Sequence, residues 1–154
     1  MKRQKILDGA IIMMVLAIVT IITFKFVLPA KPDLIIDFKK MDLLDLNKNT
    51  IVLSDLLNKE ETSYCMIFDL NDCFSCINKG IADLKALQEA GHNAIAIAVH
   101  QQVDELNGWS KHHDFSPFFM IRRPDFYQHI EVQTTPVIIK IEKNEIKNFR
   151  YILP

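Results

Sequence analysis

Two cysteines, Cys73 and Cys76, stand three positions apart in the segment NDCFSCINKG, between an apolar run and a helical pattern. The preceding run, Tyr64 to Leu70, is short and apolar, which is typical of a buried strand. From Phe74 onward the apolar residues fall at helical spacing instead, and Gly91 is expected to end this helix as a C′ residue. A second apolar run, Ala94 to Val99, follows this helical stretch. A strand, a helix and another strand in this order favour a parallel βαβ unit, so we predict an α/β fold.

Two hairpins flank this unit in the sequence. Asn47-Lys48-Asn49 is the predicted turn of an N-terminal β-hairpin within DLLDLNKNTIVL. A second hairpin is predicted within TPVIIKIEKNEIKNFRYIL, with its turn at Lys143-Asn144. Between them the pattern predicts a polar helix over about 103–113 and a short strand at Phe118–Ile121. The segment RRPDFYQHI is predicted to form a turn with at most one helical turn.

The spacing of the two cysteines suits thiol chemistry at a helix N-terminus. Unpaired N–H groups and the helix macrodipole stabilise a thiolate there, and Cys73 lies where this effect is largest. Cys76 follows on the same helical side, close enough to close a short disulfide with Cys73. Because Cys76 lies a turn deeper, beneath the apolar face of the helix, Cys73 is expected to be the more exposed thiol. Two alternatives stay open, a metal site and two cysteines that only pack in the core. A metal site would need a third ligand, for which the candidates are His112, His113 and His129.

No second Cys-x-x-Cys pair and no His pair at zinc-finger spacing accompany the cysteines, so neither a metal nor a cofactor is predicted. Cys65 lies inside the first predicted strand, where we expect a small core side chain and not a third redox thiol. His112 and His113 stand at a predicted helix end, where they complement the helix dipole.

The N-terminal part of the chain contains a long run without charge. No charged residue occurs between Asp8 and Lys25, and Gly9 to Leu28 supplies the ~20 apolar residues that cross a bilayer if Lys25 reaches the interface. Basic residues before the run favour a cytoplasmic N-terminus and an exported remainder: Lys2, Arg3 and Lys5. We therefore predict a single-pass signal anchor inserted through residues 9–28.

A cleaved signal peptide and a buried core helix are the alternatives to an anchor. The run is longer than the apolar region of a signal peptide, and Leu28-Pro29-Ala30 is a poor cleavage site. The predicted organisation is an anchor over residues 1–29, a linker over 30–37 and one domain over 38–154. The net charge of −1 offers no basic field to nucleic acid, so no nucleic-acid partner is predicted.

The segment from Phe38 to Leu153 resembles the membrane-tethered, thioredoxin-fold thiol–disulfide oxidoreductases of bacteria, the TlpA/ResA-like group of redoxins. Four features carry the resemblance: the N-terminal apolar run, the hairpin LLDLNKNTIVLSDLL, the strand-CFSC-helix unit and the segment TTPVIIKI. In that family a dipeptide before the penultimate strand holds a cis-proline facing the cysteines, and Thr135-Pro136 matches it by position. The resemblance implies a mixed sheet with an N-terminal β-hairpin behind one transmembrane helix, here without the closing C-terminal helix.

The resemblance also implies an activity and partners. Cys73 would attack a disulfide, Cys76 would resolve the mixed disulfide, and Thr135-Pro136 would present backbone to the substrate. The partners would be thiols or disulfides of exported proteins, with a membrane redox partner as a further candidate. The expected location is the bacterial inner membrane, with the domain facing the periplasm or the cell exterior.

Three departures from the family favour an alternative of a different class. Asp72 stands where the family usually has Trp, and a carboxylate beside Cys73 would oppose thiolate formation unless it points into solvent. Ile67 stands near the position of thioredoxin's buried acid, and no helix is predicted after the last hairpin. The alternative is a non-catalytic thioredoxin-like binding module, such as a metallochaperone or an assembly factor, that uses the same cysteines.

Overall fold

A computed structural model of the chain describes residues 35–37, 40–57, 62–132 and 134–154. The predicted anchor through residues 9–28 lies outside these residues. Among the helices that are described, none combines the length and the apolar content needed to span a membrane.

The described residues form nine strands and four helices. In chain order the strands are β1 (Ile35–Ile36), β2 (Asp42–Asp45), β3 (Thr50–Val52), β4 (Ser63–Asp69), β5 (Asn93–His100), β6 (Phe118–Arg122), β7 (Ile130–Glu131), β8 (Val137–Glu142) and β9 (Glu145–Tyr151). The helices are α1 (Leu53–Leu56), α2 (Phe74–Glu89), α3 (Val103–Ser110) and α4 (Arg123–His129).

Seven of the strands form one mixed sheet in the order β3-β2-β6-β5-β4-β8-β9. β4, β5 and β6 run parallel, while the hairpin strands at both sides are antiparallel to their neighbours. At the centre, Cys65 of β4 faces Ile95 of β5 on one side and Ile139 of β8 on the other. The predicted βαβ unit, the mixed sheet and both hairpins are confirmed. β1 lies in the predicted linker, where the apolar residues from Leu34 to Phe38 also indicate the start of a strand, and it pairs with β7 through Ile36 and Ile130.

The sheet buries one core on each face, because successive residues of a strand point to opposite sides. Cys65 and Ile67 of β4 belong to one core, which α1 and α4 help to cover through Leu53 and Phe126. Met66 and Phe68 belong to the other, which is covered by residues of α2 and α3: Cys76, Ile77, Ile81, Leu84, Val103 and Leu106. This second core holds the long helix α2 against one face of the sheet.

Glycine positions determine how α2 ends and how closely it packs. Gly91 adopts a φ of +87° after the helix, and its N–H donates to the carbonyl of Gln88 at 2.9 Å, as predicted for a C′ residue. Gly80 faces the sheet, where an added Cβ would lie 2.6 Å from Ile152 Cδ1 and from Met66 Cε. The described residues after β9 form no helix, and buried Ile152 packs against α2 there.

Two helices differ from the sequence prediction. α3 ends at Ser110, because the N–H groups of His112 and His113 donate to carbonyls three residues back and not four. α4 is seven residues long, although its segment is predicted to be mainly a turn. Pro124 lies in the first turn of α4, where proline favours the start of a helix. The proline of the segment RRPDFYQHI is therefore part of a helix and not of a turn.

Candidate active site

The two cysteines lie at the start of α2, just beyond the carboxyl end of β4. Cys73 is the N-cap residue, and its carbonyl accepts a hydrogen bond from the N–H of Ile77 at 3.0 Å. The Cys73 side chain is exposed, whereas Cys76 is buried, with 2% of its surface accessible. The expected difference in exposure between the two thiols is confirmed.

Hydrogen bonds to the sulfur of Cys73 favour its ionised form. The Cys76 thiol contributes most and the Ser75 hydroxyl, whose Oγ lies 3.0 Å from Cys73 Sγ, contributes next; together with backbone N–H groups they lower the pKa of Cys73 from 9.0 to about 7. The pKa of Cys76 is raised, first by its hydrogen bond to Cys73 and then by burial. Near neutral pH the site therefore combines a surface thiolate with a protonated thiol beneath it.

The carboxylate of Asp72, next to Cys73 in the chain, is engaged elsewhere. Its Oδ1 accepts a hydrogen bond from Thr135 Oγ1 at 3.0 Å, and its Oδ2 accepts one from the N–H of Asp69 at 2.8 Å. Cys73 keeps a lowered pKa despite this neighbour. The carboxylate does not point into solvent, the orientation that the sequence analysis required; partly buried hydrogen bonds from Thr135 and Asp69 engage it instead.

The Thr135-Pro136 peptide bond is cis, which confirms the conformation that the resemblance implies. Pro136 is buried immediately before β8, and its carbonyl accepts a hydrogen bond from the N–H of Ile152 at 2.8 Å. The hydrogen bond between Thr135 and Asp72 joins this proline loop to the cysteine loop. A second cis bond, Ser116-Pro117, precedes β6 and is not predicted from the sequence.

Compared by sequence with known proteins, the chain matches no family profile and no curated protein. By structure it is similar to an uncharacterized thioredoxin-like protein from Porphyromonas gingivalis, with a TM-score of 0.58, 17% identity, and coverage of 72% of this chain and 77% of that one. The domain has a thioredoxin-like fold. A thiol:disulfide interchange protein from Bacteroides sp. gives a TM-score of 0.57 at 14% identity, covering 76% of each chain.

A third thioredoxin-like structure of interest is BsSco, a member of the Sco family of cytochrome c oxidase assembly proteins. It gives a TM-score of 0.56 at 10% identity, covering 75% of this chain and 82% of that one. At such identities the likeness concerns the fold, and the chemistry has to be argued from the residues of this chain.

Two polar side chains to which the sequence analysis gave no role lie at the same edge of the thioredoxin-like sheet as the cysteines. Arg123, the first residue of α4, forms an ion pair with the carboxylate of Asp69 at the end of β4. His100 ends β5 and lies 2.5 Å from Glu105 through its Nε2. The signal that could have found them is topological, since residues that end neighbouring parallel strands meet at one edge of the sheet.

A groove runs along α2 beside the cysteines. Phe74, between the two cysteines, is 67% exposed and lines this groove, whose volume is about 530 Å³. Trp109 and His113 line it as well, with ring centroids 3.8 Å apart. Burial, followed by the neighbouring His112, lowers the pKa of His113. The His pair after α3 therefore forms part of the groove wall.

The structure does not assemble a metal site in the part of the chain that it describes. His112 and His113 follow α3, and His129 ends α4. No three His, Cys, Asp or Glu side chains among the described residues converge in a way that could hold a metal ion. Cys65 is 1% exposed, and burial raises the pKa of its thiol, which confirms it as a core residue.

Proposed function

We propose that this thioredoxin-like domain exchanges disulfides with protein substrates, with Cys73 as the attacking thiol and Cys76 as the resolving thiol. The observation that carries the proposal is the asymmetry of the pair. Cys73 is exposed at the N-terminus of α2 with a pKa lowered to about 7, while Cys76 is buried with a raised pKa. An accessible thiolate next to a protected thiol is what a two-step exchange requires.

The exchange proceeds in two balanced steps. The thiolate of Cys73 bonds to one sulfur of the substrate disulfide, and the other substrate sulfur leaves as a thiolate. Cys76 then gives its proton to solvent and bonds to Cys73 Sγ, which releases the second substrate sulfur. The substrate gains two electrons and the cysteine pair loses two; the reverse sequence oxidises a substrate dithiol.

The proline loop supplies the surface on which the substrate lies. Thr135 precedes cis-Pro136 and is tied to the cysteine loop through Asp72. An extended substrate segment that pairs with the backbone at Thr135 would bring its sulfur to Cys73, in the manner of an added strand. Thr135 and Pro136 are thus proposed as substrate-binding residues.

Trapping of mixed disulfides tests this proposal. Without the resolving thiol the first step stalls, so Cys76→Ser in an oxidising compartment should accumulate protein adducts that a reductant dissolves. Cys73→Ser should accumulate none, and Cys65→Ala, which removes the buried thiol, should behave as the wild type. If neither cysteine variant traps a partner and the wild-type pair stays reduced, the exchange activity is refuted.

The proposal extends to a membrane tether. A single-pass anchor through residues 9–28, with the N-terminus in the cytoplasm, would hold the domain on the periplasmic or external side of the bacterial inner membrane. Its partners there would be exported protein thiols or disulfides and a membrane redox partner. A reporter fused after Pro154 should be active only when exported; activity confined to the cytoplasm would contradict this location.

A binding module is the alternative, and the replacement of the family Trp by Asp72 favours it. In its assembly-factor form the same cysteines would bind a partner without turnover, as the fold likeness to BsSco suggests. In its metallochaperone form Cys73 and Cys76 would be two ligands, and the described residues offer no converging third one. Stoichiometric metal binding by the reduced protein, without adducts in Cys76→Ser, would favour this alternative.

A further inference from the structure

We infer that Asp72 and Thr135 form a positioning clasp that sets the distance between the cysteine loop and the proline loop for protein substrates. The inference rests on the proposed exchange activity. Asp72 immediately precedes Cys73, and Thr135 immediately precedes cis-Pro136. A 3.0 Å hydrogen bond joins these two side chains across 63 positions of sequence. The residues next to the reacting sulfur and next to the proline are therefore in direct contact.

A second hydrogen bond, from the backbone of Asp69, fixes the Asp72 carboxylate of the clasp. Asp72 Oδ2 accepts the N–H of Asp69 at 2.8 Å, and the carboxylate of Asp69 pairs with Arg123 at the start of α4. Asp69 also fixes the turn after β4, because its Oδ1 accepts the N–H of Asn71 at 3.0 Å. Both hydrogen bonds of Asp72 are partly buried, where charge-assisted bonds are stronger than at the surface. The carboxylate thus has one defined orientation, toward Thr135.

Different residues set the pKa of Cys73 and the position of the proline loop. The pKa of Cys73 is set by Cys76, Ser75 and backbone N–H groups, and Asp72 is not among its causes. The clasp acts on the loop that a substrate segment must contact while its disulfide lies in line with Cys73 Sγ. In a reaction that depends on orientation, a displacement of about 1 Å between the reacting sulfur atoms lowers the rate substantially. Asp72 and Thr135 are accordingly positioning residues for large substrates and dispensable for small reagents.

A test compares a protein disulfide with a small one. The pre-reduced full chain is mixed with insulin at increasing concentration, and separately with 5,5′-dithiobis(2-nitrobenzoic acid). Thr135→Val keeps the shape of the side chain but loses the hydroxyl, so the half-saturating insulin concentration should rise about tenfold, the equivalent of ~1.4 kcal/mol. The rate with the small disulfide, which does not lie along the proline loop, should fall by a much smaller factor than the insulin constant rises.

Four further variants complete the comparison. Thr135→Ser keeps a hydroxyl and should restore the wild-type insulin constant. Thr62→Val is the matched control, because Thr62 also donates to a carboxylate, that of Glu142 at 3.2 Å, but precedes the opposite end of β4. Asp72→Ala should raise the insulin constant as Thr135→Val does, and the double variant should be no worse than the worse single one.

The outcomes distinguish the clasp from the activity on which it rests. No transfer from the wild type to insulin would overturn the proposed function and the clasp together. Transfer by the wild type with unchanged constants in Thr135→Val would overturn the clasp alone, as would a parallel loss with the small disulfide. Thermal unfolding verifies that each variant is folded. If Thr135→Val fails to fold, Asp72→Ala provides the same comparison, because it removes the oxygen that accepts the Thr135 hydroxyl.

Discussion

The hydroxyl oxygen of Ser75 lies 3.0 Å from the sulfur of Cys73. Ser75 is the second residue of the dipeptide Phe74-Ser75 that separates the cysteines, and both of its residues are exposed. The contact gives the thiolate a hydroxyl donor in addition to the Cys76 thiol and the N–H groups of the helix. Ser75 therefore acts directly on the ionisation of the Cys73 thiol.

Replacement of Ser75 by Ala should raise the pKa of Cys73 from about 7 toward its ordinary value of 9.0. A smaller thiolate fraction should slow alkylation by iodoacetamide at neutral pH by roughly two- to fivefold. The pH dependence of the alkylation rate measures this shift, and Ser54→Ala, a serine of α1, is the control. An unchanged profile would mean that the hydroxyl does not stabilise the thiolate.

The lowered pKa of Cys73 also predicts how the stability of the reduced protein depends on pH. Because the folded pKa of about 7 lies below the ordinary 9.0, the unfolded chain binds more protons between these values. The stabilisation by Cys73 is complete above the unfolded value and is lost as the pH falls through the folded one. Urea midpoints of the reduced wild type, relative to Cys73→Ser, should therefore rise from pH 7 toward 9.0; a flat or falling difference would contradict this.

Cys65 should be unreactive in the folded protein. Its side chain is 1% exposed in the core, and burial raises its pKa, so neither access nor ionisation favours attack. A thiol reagent should label Cys73 in the native reduced protein and Cys65 only after denaturation, as peptide mapping would report. Rapid native labelling of Cys65 would place it outside the core.

Two glycines in helices should respond to alanine in opposite ways. At Gly80 the new methyl would meet Met66 and Ile152 at 2.6 Å, and the strain should outweigh the gain in helix propensity. We expect the free energy of unfolding to fall by ~1 kcal/mol. At Gly108 of α3 an added Cβ would meet no atom within 4 Å beyond its neighbours and the backbone of its own helix. Gly108→Ala should therefore raise the free energy of unfolding by ~0.5–1 kcal/mol. Urea denaturation compares both, and equal effects would refute the packing argument.

Local chemistry made much of the fold predictable. The change of period at Phe74 predicted where a strand becomes a helix, and Gly91 predicted the end of that helix because its φ of +87° suits glycine. The exposure of Cys73 and the burial of Cys76 followed from their places on that helix. The cis bond before Pro136 was implied by the resemblance and by no property of the dipeptide itself.

Long-range contacts were not predictable in the same way. Asp72 and Thr135 are 63 positions apart, and their hydrogen bond depends on β4 and β8 being neighbours. The sequence showed Asp72 as a carboxylate beside Cys73 but not where that carboxylate points. Its effect on the Cys73 thiolate could therefore not be predicted. The pairing of Arg123 with Asp69 was missed for the same reason, because α4 itself was predicted mainly as a turn.

The sheet places Cys65 and Cys76 in cores on opposite faces. In the folded domain the sheet therefore separates Cys65 from Cys76. Of the three conceivable disulfides, Cys73–Cys76 is the one whose thiols are in contact. An unfolded chain has no such barrier, and oxidation before β4 enters the sheet would lock Cys65 to the wrong partner. The order of folding and oxidation thus decides whether a newly made chain keeps the Cys73–Cys76 pair that the proposed exchange requires or acquires a wrong disulfide.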